Sequence, residues 1–213
     1  MPDETALPSG CEPRCRACAH RRLSTAAGLG RKTAWLTRAL APWRDRLAPI
    51  RTNGPRWGYR ERFCLRAVAG AHGWRFGLGE AERFVAIPDC PVHSVRARAA
   101  LAALTHGLPT TLALARVVQS GAQLTLILAS RTFPRLDTDP ALFERLAQAG
   151  IEGLWLNLHP ATGRRLFAKS GWHLLWGRPW SRDKLGLWHG PAGFQQLLPR
   201  LYARSLDEAE AFL

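Results

Sequence analysis

Between Tyr59 and Ala69 the chain alternates in character. Tyr59, Glu61, Phe63, Leu65 and Ala67 fall on one face, and Arg60, Arg62, Cys64, Arg66 and Val68 on the other. A period of two is the signature of a strand, because successive side chains leave opposite faces. Three arginines turn the second face toward solvent or a ligand. Upstream, from Arg31 to about Leu47, Trp35, Leu36, Leu40, Trp43 and Leu47 recur at helical spacing. Pro42 should kink or interrupt that helix, since it lacks an N–H. WRFGLGE and RFVAIPDC predict two short strands ending at Cys90, and Val92 to about His106 predicts a helix. TLALARVVQ and QLTLILAS, joined through Ser-Gly, form a hairpin pattern. Asp139-Pro140 opens a helix that runs to Gly150. GLWLNLH, RRLFAKSG and WHLLWG predict further strands. From Phe194 onward the pattern is helical, with Phe194, Leu198, Leu201, Ser205, Ala209 and Phe212 on one buried stripe. These elements predict an α+β fold: an antiparallel sheet domain with flanking helices and an N-terminal cysteine-bearing loop.

Charge changes the picture. The 213 residues hold 30 Lys and Arg against 16 Asp and Glu, a net charge of +14. All the cations but Lys32, Lys169 and Lys184 are arginines. Such a balance predicts a polyanionic partner, most simply nucleic acid. No apolar run approaches the ~20 residues of a membrane helix. The polar start, MPDETALPSG, carries no signal pattern, so the expected compartment is the cytoplasm, where thiols stay reduced.

Clustered cysteines then point to a metal. Cys11, Cys15 and Cys18 lie within CEPRCRAC. Cys90 is the expected fourth ligand, held between Pro88 and Pro91. Cys64, inside a predicted strand, reads as a small core side chain. Four thiolates suit zinc or an iron–sulfur cluster, both soft. Zinc ribbons favour paired CxxC knuckles, so a triplet with one distant cysteine favours iron–sulfur. The Cys-x3-Cys-x2-Cys spacing also occurs in radical-SAM enzymes, but Ala17 stands where those carry an aromatic residue, and residues 1–10 offer no preceding strand.

Taken in order, CEPRCRACAH, RKTAWLTRAL, GYRERFCLRA, FGLGEAERFVAIPDCPV, WLNLHP and HGPAGFQQ resemble the bacterial RNA uracil-5-methyltransferases, most closely those that modify 23S ribosomal RNA. The resemblance covers about residues 11–213. It implies a [4Fe-4S] cluster on Cys11, Cys15, Cys18 and Cys90, and contact between Gln196 and S-adenosylmethionine. It also implies ribosomal RNA as partner, with Arg60, Arg62, Arg31 and Lys32 as candidate RNA-binding residues. The implied division is a disordered tail (1–10), a cluster loop with helix and RNA-facing strands (11–91), a central α+β domain (92–190) and the start of a methyltransferase domain (191–213).

The family's reaction needs a cysteine thiolate to add to uracil C6, a glutamate to remove the C5 proton, and a glycine-rich donor loop after a strand. None of these is expected here. The chain is therefore read as the cluster- and RNA-binding part, inactive alone, with catalysis supplied by a further domain or a separate chain. Two other readings stay open. One is a non-catalytic RNA-binding module in which Trp172, Trp176 and Trp180 stack on unpaired bases. The other is a zinc-stapled structural protein. His20 reads as a loop residue or a substitute ligand, while His159 and His189 are assigned no chemistry.

Overall fold

The computed structural model describes residues 5–52, 56–160, 165–196 and 198–212. Parts of the tail, of the RTNGPRWG turn and of RRLFAKSG, and Leu197, lie outside them. Seven strands form one sheet in the order β3-β2-β1-β4-β5-β6-β7. These are β1 (Arg62–Gly70), β2 (Gly73–Leu78), β3 (Val85–Ala86), β4 (Leu114–Ser120), β5 (Gln123–Leu128), β6 (Gly153–Leu158) and β7 (Trp172–Gly177). Helices α2 (Val95–Gly107) and α3 (Ala141–Gln148) flank the sheet; α1 (Thr25–Ala39) precedes it and α4 (Pro199–Phe212) follows it. The fold is α+β. Its sheet is antiparallel except at one place: β5 and β6 run parallel, because α3 intervenes and returns the chain in the same direction.

The alternation in β1 sets the register of the core. Phe63, Leu65 and Ala67 are buried, and the residues between them only half so. On the same face of the sheet, further across it on β5 and β6, lie Leu124, Leu126, Leu154 and Leu156, all closed to solvent. Each is worth about 1.5–3 kcal/mol of burial. Helix α2 is capped by Ser94, whose hydroxyl accepts from the Ala97 N–H at 3.2 Å. Ala97 and Ala100 let it approach closely, and Leu142 and Leu146 of α3 complete that layer.

The other face of the central strands is buried and polar. Gln123 donates to Ser181 Oγ at 2.8 Å and accepts from the Trp155 indole at 2.7 Å. Asn157 accepts from the Ala168 N–H at 2.9 Å, and Ser120 donates to the Gly193 carbonyl at 2.8 Å. Buried polar groups need such partners. Here they fasten segment 165–196 across the sheet, including a short hairpin, β8 (Ser181–Arg182) with β9 (Trp188–His189), that the sequence pattern did not reveal.

Several expectations are corrected. The first helix begins at Thr25 rather than Arg31, since the Ser24 hydroxyl caps Ala27 N at 3.1 Å. The break expected at Pro42 is present: past Leu40 the chain passes into a 3-10 turn, Ala41–Arg46. The described part of RRLFAKSG is irregular, not a strand. The last helix begins at Pro199 rather than Phe194, and the stripe expected there is not buried: Phe194, Ser205, Ala209 and Phe212 are exposed, and Leu198 and Leu201 only half-buried. Thr5 is tied by its N–H to the Arg22 carbonyl at 2.6 Å. No described helix is long and apolar enough to cross a membrane.

Candidate functional site

Segment 58–62 lies between two groups of chemically active side chains. Its backbone pairs with the loop after Cys90: Gly58 N–H donates to the Pro91 carbonyl at 2.7 Å, Arg60 N–H to Val92 at 3.0 Å, and Ser94 N–H to Arg60 at 2.9 Å. Side chains then alternate. Tyr59 and Glu61 line a pocket, while Arg60 lies near Cys18.

Cys18 has the other three expected ligands around it. Burial pushes its thiol pKa up, neighbouring Cys90 and Cys15 push it further, Arg60 pulls it down, and Cys11 adds a smaller push. Cys15 and Cys90 are packed against the hydrophobic core. Cys64 is not among the groups acting on Cys18; it lies half-buried in β1 opposite Val118. The Nε of Arg60 is buried without a partner among the described residues. His93 packs its ring 5.4 Å from that of Phe63, and its pKa is pushed down to about 4, first by burial and then by Arg60 and Arg98. His20 sits by Gly28 of α1. Among the described residues, no three His, Cys, Asp or Glu side chains are close enough to hold a single metal ion.

The pocket, about 290 Å³, lies at the end of the sheet where β1, the β4–β5 turn, the β8–β9 hairpin and residues 194–196 meet. Glu61 receives Arg96 at 3.2 Å and Lys184 at 3.4 Å. Arg62 lies over the Phe194 ring at 5.2 Å, and Arg182 over Trp188 at 5.1 Å. Gln196 lines the pocket beside Gln195, whose amide packs on Gly121. The result is a cleft with cations, aromatic faces and amides, the composition that suits a nucleotide or another phosphate-bearing ligand.

Thus Cys11, Cys15, Cys90 and Arg60 are near enough to Cys18 to act on its thiol without forming a group that could hold an ion among the described residues, and Arg62 and Gln196 line one pocket. Arg31 and Lys32 stand apart on α1, exposed. Sequence reasoning missed Glu61, Arg96, Arg182, Lys184 and Gln195. The only local signal was the charged GYRER run; the remainder depends on the short hairpin. Trp172 and Trp176 pack internally, on Trp155 and Phe143 respectively.

This is the α+β sheet-and-helix class, carrying a cysteine group on one side of the GYRER segment and a basic pocket on the other. No family model matches the chain, and no curated protein matches it in sequence. Its fold is similar to that of the Pyrococcus abyssi tRNA (uracil-54, C5)-methyltransferase in complex with S-adenosyl-L-homocysteine, with a TM-score of 0.60 and 16% identity. The match covers 92% of this chain and 52% of the other, so the chain spans about half the length of that enzyme.

Proposed function

We propose that the chain is the cluster-holding, RNA-binding part of a S-adenosylmethionine-dependent RNA uracil-C5 methyltransferase, with ribosomal RNA as its substrate. The observation that carries the reading is a Cys18 thiol raised by burial and by Cys90, Cys15 and Cys11, near a buried Arg60 Nε that lacks an acceptor among the described residues. An unpaired buried donor costs about 1–3 kcal/mol. A thiolate-bound [4Fe-4S] cluster would supply acceptors through its sulfurs, and its net negative charge would suit Arg60. Zinc would draw on the same four thiolates, and among the described residues no three of them form a group that could hold an ion. The cluster would act as a structural staple between the N-terminal loop and the loop at Cys90. The motif order and the likeness to the tRNA methyltransferase support the same reading.

In this reading Gln196 faces the methyl donor, while Arg62 and Arg60 belong to the RNA side, with Arg31 and Lys32 further out. Cys64 is the one cysteine not engaged as a ligand, and its place in β1 removes it from the pocket. The thiolate for C6 and the base for C5 would come from a further domain or a second chain. Anaerobic purification tests the cluster: iron and sulfide are expected in wild type and Cys64→Ser, and not in Cys90→Ser. Incubation with ribosomal RNA and labelled methyl donor tests the division of labour. No transfer is expected from this chain alone, and robust methylation would overturn it.

A further inference from the structure

Trp35, on α1, is 63% exposed, and Trp43, in the 3-10 turn that follows, is 55% exposed. The helix does have a half-buried face, formed by Leu29, Leu36 and Leu40. On the opposite face, at helical positions i, i+4 and i+7, stand Arg31, Trp35 and Arg38. An indole left in water forgoes one of the largest apolar burials available to a side chain. Here it is flanked, one turn away on each side, by arginines. Trp43 follows in the 3-10 turn, directly before Arg44.

Charge is concentrated on the same arm. Residues 21–52 hold eight Lys and Arg against one acid, Asp45, and so carry +7 of the chain's +14. Arg21 is engaged with the Glu12 and Pro13 carbonyls and Arg51 with Glu208. Among the described residues, no ion pair involves Arg31, Lys32, Arg38, Arg44 or Arg46. The arm's main neighbour is its own 3-10 turn, and its base is held by Arg56, whose guanidinium donates to the carbonyls of His20 and Leu23.

We propose that this arm is a docking surface for unpaired RNA, with Trp35 and Trp43 stacking on bases and the arginines around them meeting phosphates. The proposal rests on the RNA-binding reading above and adds to it the strandedness of the substrate and a surface outside the pocket. A duplex keeps its base faces stacked inside and offers an indole nothing, whereas unpaired bases present open π-faces. Phosphate contact alone would need only the cations. The exposed indoles are what select a single strand.

The test uses the full chain and a fluorescein-labelled RNA of about twelve nucleotides, single-stranded or annealed to its complement. Wild type is expected to prefer the single strand. Trp35→Ala/Trp43→Ala should weaken that binding at least about tenfold while leaving duplex binding nearly unchanged, and Trp35→Phe/Trp43→Phe should restore most of it. Arg31→Gln/Arg38→Gln should flatten the salt dependence by roughly 1.4 logarithmic units per unit. Single-strand binding by the alanine variant equal to wild type, or an equal loss on duplex, overturns the proposal. If wild type binds neither form at low salt, the RNA reading itself falls and takes this one with it. If wild type binds and the alanine variant is indifferent, only the arm is rejected.

Discussion

The carbonyl oxygen of Asp89 lies 2.2 Å from the point where a side chain on Gly10 would begin. Gly10 also has φ of +77°, a conformation that favours glycine. The loop entering Cys11 and the loop entering Cys90 therefore meet backbone to backbone, and only a residue without Cβ allows it. Gly10→Ala adds strain of about 1–2 kcal/mol to a clash that backbone must relieve. We expect a lowered urea midpoint and reduced iron content after reconstitution. Gly30→Ala is the contrast: its Cβ meets nothing within 4 Å, so in helix α1 it should stabilise by about 0.5–1 kcal/mol.

Arg60 should have effects of opposite sign in the two states of the cysteine site. Without a cluster its buried Nε is an unsatisfied donor, so Arg60→Met is expected to leave the apo chain as stable as wild type or more so. With the cluster bound, loss of the cation should speed iron release to a chelator. Denaturation of the apo form and the chelation rate of the loaded form check the two halves separately. Faster unfolding of the apo variant would contradict the account.

At the pocket, Gly121 turns the β4–β5 hairpin with φ of +58°. A Cβ there would lie 2.7 Å from Gln195 Oε1 and 3.0 Å from His189 Cε1. Gly121→Ala should cost about 1–2 kcal/mol and displace the Gln195–Gln196 segment. Binding of S-adenosylhomocysteine, measured by calorimetry in the presence of any completing domain, should weaken more than the stability loss explains.

Asp139 offers a pH test. The Arg145 guanidinium, at 2.7 Å, holds its pKa below the ordinary carboxylate value, and the Ala141 N–H at 2.9 Å adds to this. A depressed folded value means that the stabilisation is complete above about pH 4, the unfolded value, and is lost as pH falls through the folded one. Asp139→Ala should be less stable than wild type at neutral pH. The gap should close in a descending pH series of urea melts; a gap that widens in acid would contradict the assignment.

Much of the sheet was legible because strand periodicity is local. Phe63, Leu65 and Ala67 turned inward as their alternation predicts. The hairpin at Gly121 and the helix opened by Pro140 likewise carry their signals within a few residues. The cysteine spacing singled out residues 11–18 and 90 on a different ground, the rarity of thiols in this chain, and among the described residues no three of them form a group that could hold an ion. The pocket was less legible. Glu61 gains its meaning from Arg96 and Lys184, 35 and 123 residues away, and the hairpin carrying Lys184 is too short to leave a periodic trace.

By itself the amino-acid order determined which segments repeat with the period of a strand or a helix, where cysteines recur, and that the surface must be strongly basic. Those properties belong to neighbouring residues or to sums over the chain. Only the tertiary structure decided that β5 and β6 run parallel, that Trp35 and Trp43 face water, and that Arg60 lies by Cys18 while Glu61 opens onto the pocket. A helical stripe specifies a face but not the surface that covers it, and burial is a property of two partners that the chain brings together only on folding.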